Sequence, residues 1–118
     1  MTHLAISVPG RLYREAITKA LERTGNFQIE QMDDIKNNPD VALLGISVQQ
    51  KFTLEERRGV IKNLREKAPN CKIVLFLDEL VSPEQTTGVK AMKQARLIDG
   101  FLYASGSMEY LVDMLESI

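Results

Sequence analysis

The side chains best equipped for chemistry are four acids and a serine-rich turn. Asp33-Asp34 and Asp78-Glu79 are two acidic pairs, each placed just after an apolar or alternating run. Their carboxylates together suit a hard divalent cation, which takes oxygen ligands. The same acids suit solvated loops near helix starts, where the helix dipole favours negative charge. Ser105-Gly106-Ser107 opens a helical pattern. Free N–H groups at a helix start favour an anion, and the two serines serve equally as caps. Pro9-Gly10-Arg11 lacks both the GxGxxG and the Walker-type glycine-lysine spacing that wraps backbone N–H groups around phosphates. It reads as a strand-to-helix turn. One histidine, His3, and one cysteine, Cys71, leave no nucleophile-base couple and no metal knuckle. Both read as structural. The expectation is a non-enzymatic protein with no metal and no cofactor.

Composition narrows the classes further. The 118 residues make one domain spanning positions 1–118. Hydrophobic residues at 44% and charged residues at 26% argue for a packed core and against intrinsic disorder. Fifteen basic and sixteen acidic side chains give a net charge of −1, which argues against direct nucleic-acid binding. No apolar run approaches the roughly 20 residues of a membrane span, and no leader precedes the first strand. A single cysteine fits a reducing, cytoplasmic compartment.

Two hydrophobic periods alternate along the chain. Leu4–Val8 is a short apolar run stopped by Pro9-Gly10, the pattern of a buried strand. Leu12, Tyr13, Ala16, Ile17, Ala20 and Leu21 then mark one face of a helix, with Gly25 as a left-handed cap. Phe27–Met32 alternates as a second strand. The polar stretch 33–38 has room for one helical turn at most. Val41–Val48 is apolar on both alternating sets, as in a strand covered on two faces. Thr53-Leu54-Glu55-Glu56 fits a capping box, and its helix carries Leu54, Val60, Ile61, Leu64 and Ala68. Cys71–Leu77 is a fourth strand. Ser82-Pro83 opens a helix holding Val89, Met92 and Ala95, with Lys90 and Lys93 outward. Phe101–Ala104 is a fifth strand. Ser107 caps a last helix with Met108, Leu111, Leu115 and Ile118 on one stripe. Strands joined by helical crossovers run parallel, and right-handed crossovers place helices on both faces. The fold class is therefore α/β: a doubly wound, five-stranded parallel sheet in three layers, of flavodoxin-like type.

This arrangement resembles the receiver domain of two-component response regulators, most closely those with a helix-turn-helix output. Leu12-Tyr13-Arg14-Glu15-Ala16 is similar to the family's first-helix opening. Pro39-Asp40-Val41-Ala42-Leu43-Leu44 is similar to its entry into strand three. Lys72–Phe76 and Asp99-Gly100-Phe101-Leu102 are similar to strands four and five. The chemical positions depart from the family. The resemblance puts the paired metal-binding acids at Val8 and Pro9, and the phosphoacceptor aspartate at Gly45. It puts the hydroxyl residue that ends strand four at Leu77, and the lysine four residues after the strand-five glycine at Ala104. Only about six residues separate Met32 from Pro39, too few for the usual second helix.

The resemblance thus implies a degenerate receiver that cannot run Mg²⁺-dependent aspartyl phosphorylation and acts through protein recognition, from a transcriptional regulator. In receivers the signalling face lies on the last two helices and the last strand. Here it would comprise Lys90 and Lys93, Phe101 and Tyr103, and Glu109, Tyr110, Asp113 and Met114. Opposite charges on the two helices suit a homodimer about a two-fold axis, or a protein partner. Dimerisation through the first and last helices is the competing geometry. An adaptor that docks on another protein, and a small ligand-binding protein on a flavodoxin-like fold, are the alternative functions.

Overall fold

The structure, a computed structural model, describes residues 1–31 and 38–118. Element order is β1 (Thr2–Ser7), α1 (Arg11–Glu22), β2 (Phe27–Gln31), β3 (Val41–Ile46), α2 (Leu54–Lys67), β4 (Lys72–Leu77), α3 (Pro83–Gln94), β5 (Gly100–Tyr103) and α4 (Met108–Ser117). The strands form one sheet in the order β2-β1-β3-β4-β5, with every pairing parallel. This is the doubly wound sheet that the alternating periods predict. Asp33 and Asp34, and the expected end of the second strand at Met32, lie outside the described residues.

Alternation along the central strands sorts the core into two layers. Ala42, Leu44 and Ile46 of β3 face α2 and α3, together with Ile73, Leu75 and Leu77 of β4. Val41 and Leu43 face α1 and α4, with Val74, Phe76, Ile17, Leu21, Leu111 and Leu115. β3 is buried along its whole length because helices cover both its faces.

The helix starts are fixed by the side chains that the sequence offers. Thr53 Oγ1 accepts from Glu56 N, Ser82 Oγ from Gln85 N, and Ser107 Oγ from Tyr110 N. Pro83 occupies the first turn of α3, where a missing N–H costs nothing. The expected capping box differs in its return half, since Glu56 Oε1 accepts from Lys51 N. Gly25 takes the left-handed conformation, φ 70°, past the end of α1.

The expected apolar face of α1 is narrower than its sequence pattern. Ile17 and Leu21 are buried, whereas Leu12 is 82% exposed and Ala16 is also exposed. Leu12 precedes Ile17 by five residues, which places it about 140° around the helix. Only the arc around Ile17 meets the sheet.

At the N-terminal edge of β4 and β5, Arg65 joins three segments. Its Nε donates to Leu97 O (2.9 Å), Nη1 to Cys71 O (2.7 Å) and Nη2 to Asp99 Oδ2 (2.8 Å). Asp99 Oδ2 also accepts from Ile73 N at 2.8 Å. Burial raises the Asp99 pKa, but the hydrogen bonds from Arg65 and Ile73 outweigh it and hold the carboxyl below its ordinary value.

Candidate functional site

In a parallel sheet of this kind, ligands gather beyond the C-terminal strand ends. Among the described residues, apolar groups take up much of that region here. Val8, Pro9, Gly45 and Leu77 are all buried, and Ala104 is half-buried. A Cβ built on Gly45 would stand 2.5 Å from Pro9 Cδ and 3.1 Å from Val8 Cα. The proline ring therefore occupies the space into which a side chain at position 45 would point. Glycine is required there by close approach, because real Cβ contacts do not reach such distances.

Beside this plug, Asp78 serves local structure. Asp78 Oδ1 accepts from Leu80 N (2.9 Å), and Val81 N donates to Asp78 O (3.2 Å), so Asp78 shapes the β4-α3 turn. Glu79 is exposed. Among the described residues, no group of three His, Cys, Asp or Glu side chains is placed to hold a metal ion. At the other candidate site, Ser107 Oγ is engaged as the α4 cap, and Gly106 N donates to Tyr103 O (2.9 Å). Ser105 is exposed. His3 Nε2 lies 3.2 Å from Glu30 Oε1 on the neighbouring strand. The Cys71 thiol is buried, and desolvation is the main cause that pushes its pKa up to about 11. A thiol held protonated in this way is a poor nucleophile.

One residue escaped the sequence reading. Arg57 is 2% exposed, a buried cation on α2. Its Nε donates to Gly45 O (3.0 Å), and its Nη2 donates to Ser7 O (2.6 Å) and Ser7 Oγ (3.0 Å). The guanidinium carbon sits 4.6 Å from the centroid of the Phe52 ring. A signal was available, since Leu54, Arg57, Ile61 and Leu64 recur at the 3-4-3 spacing of a buried stripe.

No protein-family model matches this chain, and no curated protein does. Solved structures do match along nearly its full length. A DNA-binding response regulator of the LuxR family from Staphylococcus aureus superposes with a TM-score of 0.75 at 22% identity, covering 99% of this chain and 98% of that one. A CheY-like receiver domain protein from Methanospirillum hungatei gives 0.76 at 11% identity, covering 99% and 92%. RcsB from Salmonella enterica, bound to the rprA promoter in the presence of phosphomimetic BeF₃⁻, gives 0.75 at 16% identity, covering 99% and 98%. The fold is the receiver fold.

The receiver's last strand and last two helices form a groove of about 680 Å³ in this chain. Lys93, Phe101, Tyr103, Tyr110, Asp113 and Met114 line it, so six of the eight residues expected at the signalling face meet there. Lys90 and Glu109 are exposed on the flanking helices. Phe101 and Tyr103 meet edge to face, with centroids 6.0 Å apart. Tyr103 and Tyr110 remain 43% and 55% exposed. β5 is an edge strand, so nothing beyond it in the sheet covers this groove. Among the described residues, no helix is long and apolar enough to cross a membrane.

Proposed function

We propose that this chain is a receiver-type signalling domain that works through protein recognition and without aspartyl phosphorylation. The observation that carries the reading is the strand-end plug. Gly45 offers no carboxylate, and the Pro9 ring stands where one would have to be. A phosphoryl transition state needs fixed charges around it, and Val8, Pro9, Leu77 and Ala104 supply none. The domain is therefore not an enzyme in this reading. Incubation with acetyl phosphate or a phosphoramidate and Mg²⁺ is expected to leave the intact mass unchanged. A base-labile gain of one phosphate would overturn the proposal.

The recognition surface in this reading is the α3-β5-α4 groove, and its occupant is a second copy of the chain. Its two walls differ in charge. Of the charged side chains on these two helices, α3 sets Lys93 into the groove and α4 sets Asp113 there, with Lys90 and Glu109 exposed beside them. A two-fold axis sets each wall against its opposite, so one surface is complementary to itself. The exposed rings of Tyr103 and Tyr110 supply the apolar centre that such interfaces use as anchors. Sedimentation is expected to show a dimer whose Kd rises about tenfold or more in Lys93→Glu or Tyr110→Ala. Added salt is expected to weaken it further. A wild-type chain that stays monomeric at high concentration removes the homodimer and leaves a different protein as the partner.

Two of the structural neighbours are described as DNA-binding or promoter-bound regulators. They support a place for this domain in transcriptional control. The net charge of −1 argues against direct contact with nucleic acid by this domain. The single buried cysteine fits a cytoplasmic setting.

A further inference from the structure

A buried guanidinium is an unusual core residue, because it stays charged at all accessible pH and loses its hydration. It persists only where fixed acceptors replace the water. Arg57 meets them on two adjacent strands, at Ser7 of β1 and Gly45 of β3. On its other side lies Phe52, in the loop between β3 and α2.

That loop, residues 47–53, is closed on itself. Ser47 N donates to Phe52 O (2.9 Å), Phe52 N to Gln49 O (3.0 Å), and Gln49 N to Ser47 Oγ (3.0 Å). Lys51 sits in the left-handed region, φ 76°, which a non-glycine residue keeps only when its surroundings impose it. Its N–H is held by Glu56 Oε1 at 2.8 Å. Val48, Gln49, Gln50 and Lys51 nevertheless project into solvent. An exposed tip thus stands on a base tied to the sheet.

We propose that Arg57 is an internal latch: its guanidinium clamps the 47–53 loop to the ends of β1 and β3 and presets this corner in one arrangement. The cation that orders the strand ends is part of the chain, so no exchangeable ion is required. The latch is independent of what the groove beside β5 binds, and it holds whether or not the proposed dimer forms.

Hydrogen exchange on the full chain tests it. In Arg57→Met, amides of 47–53 and the end of β1 are expected to exchange about tenfold faster or more, with β5 and α4 unchanged. Arg57→Lys is expected to behave similarly, because an ammonium has no planar fork to span both carbonyls. Phe52→Leu keeps an apolar group of similar size but loses the π face. It is expected to speed exchange in the loop alone, and it decides the matter if the Arg57 variants do not fold. Equal acceleration across the whole sheet would make Arg57 a general core residue and overturn the latch. So would an unchanged loop, or wild-type loop exchange that slows when Mg²⁺ or Mn²⁺ is added.

Discussion

Gly45→Ala is expected to destabilise the fold by about 1–3 kcal/mol, the usual cost of forcing an extra group into a packed core. For a chain of this size that is a fall in Tm of about 4–12 °C. The physical cause is specific. β3 lies between β1 and β4 and is buried throughout, so its backbone has no free direction in which to retreat. The atom in the way, Pro9 Cδ, belongs to a ring fixed to its own backbone and cannot rotate aside. Removing that atom should therefore relieve most of the strain. The double variant Pro9→Ala/Gly45→Ala is expected to recover at least half of the loss, a coupling that thermal melts of the four-member cycle measure directly. Additive losses would show that the two residues do not clash. Gly59→Ala is the matched control. It lies on the exposed side of α2 with nothing within 4 Å of the added Cβ, and is expected to stabilise the helix by about 0.5–1 kcal/mol. Gly45→Asp should be worse than Gly45→Ala, since it adds an unpaired carboxylate to the same space. Returning an acid to this position is therefore not expected to return phosphorylation.

The same pair of residues marks the limit of what the sequence conveyed. That no carboxylate stands at Val8, Pro9 or Gly45 is legible from residue types alone once the strand ends are placed. That the proline ring fills the space above Gly45 is not, because it depends on two chain segments 36 positions apart approaching so closely that a side chain at 45 has no room. The strands were legible for a related reason. β3 and β4 are apolar on both faces, a local pattern that needs no partner to recognise. The caps at Thr53, Ser82 and Ser107 are equally local. The burial of Arg57 is not legible in this way, because a charged residue ordinarily faces solvent. Its burial follows from acceptors on β1 and β3, which are distant in sequence. Leu12 erred in the opposite direction: its type suggested the core, and its angle on α1 sends it to solvent.

Asp99→Asn is expected to cost about 1–3 kcal/mol at neutral pH, the range for weakening a charge-assisted hydrogen bond in a partly shielded site. The carboxylate accepts from both Arg65 Nη2 and Ile73 N, so it ties α2 to the start of β4 while its own backbone N–H bonds Ile73 O at 2.8 Å. An amide oxygen in the same place can accept from both donors but sets no charge opposite the guanidinium. The dependence on pH separates this role from simple packing. Because the folded carboxyl has a pKa below its unfolded value, near 3.9, its contribution is fully present above that value. It is lost as pH falls through the folded pKa. The stability gap between wild type and Asp99→Asn should therefore be constant from about pH 7 to pH 5 and shrink below about pH 4. Urea melts at a series of pH values measure it. A gap of constant size down to pH 2 would mean that shape, and not charge, sets the value of Asp99. Arg65→Met should show the same acid-sensitive gap, larger at neutral pH because Leu97 O and Cys71 O lose their donor as well. Since Arg65 and Asp99 share one bond, their double variant is expected to cost less than the sum of the two single changes. This corner lies at the opposite end of the strands from the Pro9-Gly45 plug, so changes at the two places should add.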